Sequence, residues 1–403
     1  MNPLTSLLSP ANRNLTLLVA AQALGAATPP IIISLGGLVG QMLSDDPSIA
    51  TLPVSLYQLG LALSTIPAAY AVKRLGRREA YMVGGIVGVL SALLAAWGIF
   101  ESSFLYFCLG ITLAGFYGAC VQSYRFAAAD AVPVERRARA ISMVMVGGLI
   151  AAVIGPQVVI WTRDSLPATP FAGSFVSMAV LALLALPLLA MLRVPRAQAV
   201  RQEDSGRSLG QIARTPRFPV AVLAGVVSFG LMSFIMTASP MAMVGCGYSV
   251  GTAALGIQWH VLAMFGPSFV TGRLIDRFGN NTLTAAGLLL IGAAGLLALG
   301  GLELTHFWGS LILLGVGWNF GFIGATSMVT DCYRPNERAK VQALNDFLVF
   351  GTVAAASFFS GHLLNTAGWE AINLYMLPLI VVVLAAQLWL AWVERGKGPA
   401  TAG

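Results

Sequence analysis

Charged side chains are scarce in this sequence. Only 10% of the 403 residues are Asp, Glu, Lys or Arg, whereas 57% are hydrophobic. A soluble globular domain carries roughly 25% charged residues, and no water-soluble fold could cover so large an apolar fraction. The composition therefore excludes an ordinary soluble protein and favours a chain that lies within a lipid bilayer.

Cysteine and histidine are also rare. No CxxC pair occurs, and no cysteine stands at ligand spacing from a histidine; the residues concerned are Cys108, Cys120, Cys246, Cys332, His260, His306 and His362. We therefore predict no disulfide framework and no metal site. No group of His, Glu, Asp and Cys converges at one depth of the apolar segments, so we expect neither an enzyme nor a cofactor.

Long apolar runs recur along the whole chain. Each has about 20 residues or more, the length that a helix needs to cross roughly 30 Å of hydrocarbon, and lipid leaves no alternative to helices because it cannot satisfy open backbone groups. Pro29 and Pro30 predict an irregular first span, which shows no signal-peptide cleavage pattern. The runs predict an all-α polytopic membrane protein with twelve transmembrane helices, near residues 15–42, 49–72, 79–100, 103–127, 138–161, 169–193, 217–245, 250–272, 281–302, 307–330, 340–365 and 369–393.

The net charge of +7 is spread as short basic clusters in alternate loops. Lys and Arg occupy the loops after spans 2, 4, 6, 8 and 10, whereas only Arg163 falls in an opposite loop. This asymmetry is a topology signal rather than a nucleic-acid-binding patch, and the positive-inside rule places both termini in the cytoplasm of a bacterial inner membrane.

The longest polar stretch, residues 194–216, lies at the centre of the chain. We predict a cytoplasmic linker there, between an N-terminal six-helix half (1–193) and a C-terminal six-helix half (217–403). Within the linker, Ser208 to Arg214 fits either a short surface helix or a disordered tether. An internal repeat supports the division: residues 73–76 correspond to 276–279 at an offset of 203, and Asp130 and Glu135 correspond to Asp331 and Glu337 at 201 and 202.

The loop after span 8 reads Gly272-Arg273-Leu274-Ile275-Asp276-Arg277-Phe278-Gly279. It resembles the loop signature G-x-L-x-D-R-x-G of the major facilitator superfamily (MFS). The resemblance implies two repeats of six helices and a secondary active transporter that moves a small organic solute by alternating access. It also implies gating roles for the glycines and charged residues of both copies of the loop, although Lys73 stands in place of the acid in the first copy. These are Gly272, Asp276, Arg277 and Gly279, with Gly76, Arg77 and Arg78.

Two stretches, residues 257–268 and 122–130, are similar to a bacterial branch of the superfamily that includes riboflavin importers. That similarity implies uptake of riboflavin or a similar heteroaromatic compound. The alternative is proton-coupled efflux of drugs or metabolites. Exporters of cationic drugs tend to need a membrane-buried acid, and apart from Asp346, which lies at shallow depth, none is visible.

Aromatic and amide side chains predicted at middle depth form a candidate solute site. Aromatic faces supply contact area for a flat, uncharged ring and amides supply its orientation, although each residue singly also fits a packing role. The set is Tyr57, Gln58, Tyr117, Phe234, Thr237, Gln258, His260, Trp318 and Asn319. Gln258 and His260 point to nearly opposite sides of span 8, so we expect only one of them to line the cavity.

Ionisable residues within the spans are candidates for coupling and gating. His260 near the midplane and Asp346 about two turns into span 11 are candidate proton carriers. A packing histidine and a structural acid at the helix start are the alternatives. We expect Arg125 and Asp130, at the end of span 4, to form a gate with the cluster around Arg136. The expected partners are a small-molecule solute, the lipid bilayer and, as coupling ion, protons, with the chain acting as a monomer.

Overall fold

The computed structural model describes residues 10–133, 136–193 and 206–395. Linker residues 194–205, together with Glu135 of the repeat match, lie outside the described residues. The described part is helical throughout and contains no β-strand. Its helices are α1 (Pro10–Gly25), α2 (Thr28–Leu43), α3 (Leu52–Leu75), α4 (Arg77–Phe100), α5 (Phe104–Asp130), α6 (Arg137–Thr162), α7 (Ala172–Ala190), α8 (Leu209–Ala213), α9 (Arg217–Gly245), α10 (Val250–Phe265), α11 (Ser268–Phe278), α12 (Asn280–Leu299), α13 (Leu304–Thr330) and α14 (Arg338–Arg395), with a 3-10 turn at Pro47–Ile49.

These helices provide about twelve membrane crossings. Among the described residues, 10 helical runs are long and apolar enough to span a bilayer, and the bent pair α10 and α11 makes 11. Helix α14 has 58 residues, about 87 Å at 1.5 Å per residue, far more than one bilayer requires. Gly368 interrupts it with φ 82° and ψ 179°, and division there yields the twelfth span. The prediction of an all-α polytopic fold is confirmed.

Two spans are broken along their length. Span 1 consists of α1 and α2, and the break falls just before the two prolines of the second piece, which lack backbone donors. Span 8 consists of α10 and α11, which are bent by 43° at Gly266 and Pro267. The irregular first span was predicted from its prolines, whereas the bend in span 8 was not.

Single glycines form the turns of the two signature loops. Gly76 joins α3 to α4 with φ 97°, and Gly279 joins α11 to α12 with φ 83°. Both angles lie in the region that side chains with a Cβ rarely adopt. The two copies of the repeat therefore need glycine at the same point for the same reason.

The described part of the linker is a short helix packed on the bundle. Ser208 and Gln211 form a capping box at the start of α8: the Gln211 N–H donates to Ser208 Oγ (3.3 Å) and the Ser208 N–H donates to Gln211 Oε1 (2.9 Å). Ile212 is fully buried among Phe218, Val329 and Leu390 of the later spans. Of the two alternatives for this segment, the structure has the helix.

Candidate functional site

Two faces of the bundle are distinguished by their loops. The linker face carries α8, the start of α1 and the turns at Gly76 and Gly279, and the opposite face carries residues 44–51, 163–171, 246–249 and Gly368. Spans up to Ala190 are called the N-half and spans from Arg217 the C-half. The interface between these halves contains the candidate site.

Hydrogen bonds between described residues of the two halves lie towards the opposite face. The Thr51 hydroxyl donates to the Phe358 carbonyl (3.2 Å), and the Asn365 amide donates to the Pro47 carbonyl (2.8 Å). Somewhat deeper, the Gln157 amide of α6 donates to Gln258 Oε1 of α10 (3.0 Å). These bonds fasten the interface at the opposite face.

Close packing closes the same end of the interface. A Cβ on Gly37 of α2 would lie 2.7 Å from the Met241 sulfur of α9, and one on Gly361 of α14 would lie 2.2 Å from Thr51 Oγ1. The β-branched Thr51 leaves no room for a Cβ at Gly361, whereas a Cβ at Gly37 would require the flexible Met241 side chain to move. A solute between the halves has no route to the opposite face through these contacts.

The halves meet differently nearer the linker face. Arg125 of α5 and Asp346 of α14 are exposed, and their charges interact across the interface. No ion pair within 4 Å joins described residues of the two halves there. We call the region between the halves there, where Arg125 and Asp346 are exposed, the gap; the arrangement is that of a carrier fastened at the opposite face.

Five aromatic rings from four spans of the C-half form a cluster. We call Phe229, Phe265, Trp318, Phe322 and Phe350 the aromatic cluster. Trp318 stacks on Phe322 with centroids 5.3 Å apart and an interplanar angle of 17°, while Phe229 and Phe265 meet it edge-on at 5.3 Å and 6.1 Å. Phe350 joins through Phe229 at 5.9 Å. Such geometries are favourable for aromatic pairs.

The cluster is buried at its centre and open at its edge. Trp318 is 7% exposed, and its indole Nε1 has no hydrogen-bond partner. The four phenylalanine rings around it are only partly buried. The cluster thus has partly accessible aromatic rings around a buried, unused N–H donor.

The two polar residues of span 8 point in different directions, as expected. His260 is fully buried, with Nδ1 2.7 Å from the Leu311 carbonyl of α13. Gln258 pairs with Gln157 of the N-half. Gln258 is therefore the residue at the interface between the halves, and His260 joins spans 8 and 10.

Asn319 holds the break in span 8 together. Its amide nitrogen donates to the Met264 carbonyl (2.6 Å) and to Ser268 Oγ (2.7 Å), and its carbonyl accepts from Thr271 Oγ1 (2.5 Å). These bonds use the polar atoms of a fully buried side chain. Asn319 therefore positions the backbone beside Phe265 rather than presenting its amide to the gap.

The other residues of the predicted solute set lie in packing environments. Tyr57 and Tyr117 are almost fully buried, and Gln58 is 8% exposed. The Thr237 hydroxyl bonds the Ser357 hydroxyl at 3.0 Å. Phe234 lines a separate groove with Phe359, His362, Leu363 and Tyr375. Of the predicted set, the structure brings Trp318 to the aromatic cluster and Gln258 to the interface between the halves.

The predicted gate residues divide into paired and unpaired groups. Asp130 forms an ion pair with Arg77 at the start of α4, and Arg77 Nη1 lies 3.0 Å from the Tyr81 hydroxyl. Asp130 pairs with Arg77, which lies beside the end of α5, and not with Arg136 or Arg139; the Arg137 side chain lies outside the described part of the chain. Arg78 and Asp276 are exposed and form no ion pair with a described residue. The Arg277 guanidinium lies over the Phe278 ring. A Cβ on Gly272 would meet open space, so this glycine is not required by close packing.

Sequence reasoning missed four members of the aromatic cluster: Phe229, Phe265, Phe322 and Phe350. Two signals were available. Phe322 follows Trp318 by one helical turn, and Phe265 follows Gln258 by two turns on the same face of α10. Phe229 and Phe350 lie on separate spans with no such spacing, so only the fold shows that they belong to the cluster.

The sequence profile of the Major Facilitator Superfamily matches residues 15–351, with a second match over 261–403. The chain is 62% identical over 379 residues to riboflavin transporter RfnT of Brucella anthropi, covering 93% of this chain and 94% of that one. It is 30% identical to the uncharacterized MFS-type transporter YdeG of Bacillus subtilis, covering 96% and 92%. A crystal structure of nucleoside transporter NupG superimposes with a TM-score of 0.74 at 13% identity, covering 94% and 99%, which shows a shared fold. The chain belongs to the Major Facilitator Superfamily.

Proposed function

We propose that this protein is a secondary active transporter that carries riboflavin, or a closely similar heteroaromatic compound, into the bacterial cytoplasm. The observation that carries the proposal is the similarity, over nearly the whole chain, to a riboflavin transporter. Relatives this similar align along their complete length, so the solute pathway of one has its counterpart in the other. The interface described above is consistent with an uncharged ring compound as solute.

The mechanism proposed is alternating access between the two halves, residues 1–193 and 217–403, joined by the linker 194–216. The fastened opposite face and the gap at the linker face correspond to one end state of such a cycle. Rocking one half against the other would open the fastened face and bring Arg125 towards Asp346. Because the pathway lies within one chain, we propose that the monomer is the functional unit.

The linker face is proposed to be cytoplasmic and the membrane to be the bacterial inner membrane. Basic residues of the loops concentrate on this face, including Arg78, Arg207, Arg273 and Arg334, whereas Arg163 lies on the opposite side. Positive loops are retained in the cytoplasm. The described state is then open to the cytoplasm, the side where an importer releases its solute.

Reporter fusions test the orientation. A reporter active only outside the cytoplasm should be silent when fused after Arg217 or at Gly403 and active when fused near Asp46. Activity at Gly403 would contradict the proposed orientation of the termini.

Transport by the purified protein in liposomes tests the function. We expect riboflavin to accumulate above its external concentration when a proton gradient is imposed, because a coupled carrier concentrates its solute whereas a channel only equilibrates it. Asp346 is the proposed proton carrier, since it is an exposed acid within a membrane span at the interface. Empty liposomes are the control, and failure to accumulate any flavin would refute the proposal.

A further inference from the structure

We infer that the aromatic cluster is the site where the planar ring of the solute stacks, with the indole N–H of Trp318 as its hydrogen-bond donor. The inference rests on the proposed function, because it names the ring-binding site of the same transporter. Its ligand class is an uncharged, planar heteroaromatic ring that carries a carbonyl or ring-nitrogen acceptor. The isoalloxazine ring of riboflavin has both kinds of acceptor.

Three of the five rings of the cluster come from helices that contact the N-half. The five rings come from α9, α10, α13 and α14. Three of these helices contact the N-half: α9 through Met241, α10 through Gln258 and α14 through Phe358. The outer span α12 contributes no ring. A solute held between the halves is therefore within reach of these helices, and we assign its ring to the cluster that they carry.

The cluster also lies at a suitable depth. Phe265 follows Gln258 by seven residues on the same face of α10, about 10 Å along the helix towards the linker face. Gln258 and Gln157 close the interface on one side of the rings. Access to the rings is thus from the linker face, the side on which the gap lies.

The unpaired donor of Trp318 is available to a ligand that stacks on the cluster. A buried N–H without a partner costs free energy, and such groups in native structures usually have a bridging water or a ligand. Phenylalanine side chains cannot accept a conventional hydrogen bond, and Trp318 is bordered by Phe229, Phe265 and Phe322. Rotation of Phe229 or Phe265, which meet the indole edge-on, is the local change that uncovers this donor.

The chemistry of the cluster selects the class of ring. None of its five members carries a charge, so a cationic ring would lose its hydration without gaining a counter-ion. Stacking on Trp and Phe faces tolerates any flat ring, while one N–H donor favours a ring with an acceptor at its edge. The cluster therefore discriminates against charged amines and against non-aromatic solutes such as free sugars.

Binding of riboflavin to the purified full-length protein tests the inference, with quenching of flavin fluorescence as the readout. Phe322→Leu removes a stacking face, and we expect a Kd about 5- to 100-fold higher, the range for loss of one aromatic stacking contact. Trp318→Phe keeps a ring but removes the donor, and we expect about a 2- to 10-fold higher Kd.

Trp369→Phe is the matched control. Trp369 is also 7% exposed, its Nε1 also lacks a partner, and it also packs on an aromatic ring, that of Phe307 at 5.2 Å. It lies beside Gly368 at the opposite face, away from the cluster. We expect Trp369→Phe to bind riboflavin with a Kd within about 2-fold of that of the unaltered protein. If loss of any buried indole N–H weakened binding, this variant would show the same increase in Kd as Trp318→Phe.

Competition on the unaltered protein tests the inference without relying on a variant that folds. Lumiflavin, which has the same ring with a methyl group in place of the ribityl chain, should displace riboflavin, whereas ribitol should not. Displacement by ribitol and not by lumiflavin would overturn the inference, because the chain and not the ring would then provide recognition.

The outcomes separate the inference from the proposed function. If the unaltered protein binds and accumulates riboflavin but Phe322→Leu and Trp318→Phe bind it equally well, the inference is wrong and the proposed function stands. If the unaltered protein neither binds nor accumulates riboflavin, the proposed function is wrong, and the inference falls with it.

Discussion

Span 4 of the N-half and span 10 of the C-half each end at the linker face with an aspartate, Asp130 and Asp331. The two aspartates are bonded by different partners. In the N-half, Asp130 pairs with Arg77, which begins the neighbouring span. In the C-half, Asn280 stands at the position that corresponds to Arg77, and its amide donates to Asp331 (2.7 Å). The cation comes instead from Arg217, which begins span 7 and bonds Asp331 at 2.8 Å.

The C-half arrangement ties more of the chain together. Arg217 also bonds Glu394 at the end of span 12 (2.9 Å), so one guanidinium connects spans 7, 10 and 12. Beside it, Glu337 is fully buried and accepts two bonds from the Arg207 guanidinium, at 2.9 Å and 2.7 Å. The N-half uses one local pair where the C-half uses a network that includes the linker. The described part of the linker, residues 206–216, is therefore attached to the C-half.

The linker contact is also sensitive to acid. Hydrogen bonds from Arg207 hold the pKa of the Glu337 carboxyl well below its usual range. A lowered folded-state pKa stabilises the folded protein above the ordinary value of about 4.3, and that contribution is lost as the pH falls below it. Near neutral pH the contact between Arg207 and Glu337 therefore contributes its full stabilisation.

The two halves also differ in how deeply they bury their aromatic side chains. The N-half buries Tyr57, Tyr81, Tyr117 and Tyr124 completely within its packing core. The C-half places partly buried rings beside the interface. At the repeat offset of 203 for span 8 and 201 for span 10, Phe265 and Phe322 correspond to Ala62 and Val121, whereas Trp318 corresponds to the buried Tyr117. One scaffold thus carries two different surfaces, and the C-half supplies the rings while the N-half supplies the cation Arg125.

The largest effect is expected where the two halves face each other. Arg125→Glu places an acid opposite Asp346, and at the separation of a closed linker face this repulsion amounts to about 2–3 kcal/mol. We expect riboflavin uptake to fall roughly 30- to 150-fold, because the linker face can no longer close. Uptake into liposomes is the measurement.

Exchanging the two charges is the decisive control for this pair. Arg125→Asp combined with Asp346→Arg restores attraction and should recover much of the exchange of riboflavin for riboflavin, which needs no proton carrier, whereas Arg214→Glu, an exposed change on the linker, should have little effect. No recovery in the double variant would show that the two residues act separately.

The next largest effect concerns the stability that the ion pairs of Asp130 and Asp331 give to the two halves. Asp130→Asn leaves the buried Arg77 without its partner, and we expect a loss of about 1–3 kcal/mol, less than for a fully buried pair because Asp130 is 40% exposed. Asp331→Asn leaves Arg217 bonded to Glu394, and we expect less than about 1 kcal/mol. Thermal unfolding of the purified variants compares the two. If both substitutions lowered the midpoint of thermal unfolding equally, the remaining bonds of Arg217 would not compensate for the loss of Asp331.

Much of the fold was predictable because its signals are local. Apolar length specified the spans, Pro29 and Pro30 specified the irregular first span, and Gly76 and Gly279 specified the two tight turns. The halves were predictable as a repeat of these local signals, although the division into domains stays a prediction.

The candidate site was predictable only in part, because its members are assembled by tertiary packing. Position along span 10 predicted that Trp318 and Asn319 lie near the middle of the membrane. Their roles depend on which side of the helix each occupies, and Asn319 bonds the backbone at the break in span 8. Phe229 and Phe350 come together with Trp318 from separate spans. No spacing in the sequence records that convergence.

A smaller effect is expected in the signature loops, where Lys73 and Asp276 hold equivalent positions. Both are exposed, and neither forms an ion pair with a described residue in this open state. When the linker face closes, Asp276 should approach the start of span 5, where the helix dipole favours an acid by up to about 2 kcal/mol. Asp276→Asn should then shift the balance of states about 5- to 30-fold towards the open form.

Cysteine labelling at the mouth of the linker face measures that shift. Labelling should be faster and uptake slower in Asp276→Asn at normal abundance, and Lys73→Ala should change neither, because a cation is unfavourable near a helix start. Equal damage from both substitutions would mean that the signature serves only as a turn and a topology signal.

The smallest effect is expected at His260, whose counterpart at an offset of 203 is Tyr57. Both side chains are buried, and both join equivalent spans: Tyr57 packs on Gly118 of span 4, and His260 bonds the Leu311 carbonyl of span 10. This correspondence favours packing over proton transfer. Glutamine retains an N–H for the Leu311 carbonyl, so His260→Gln should leave uptake within about 2-fold at every pH. Asp346→Asn should remove the pH dependence in the same assay. If instead His260→Gln abolished the pH dependence of uptake at normal abundance, His260 would be the proton carrier. Its correspondence with Tyr57 would then be one of packing position only.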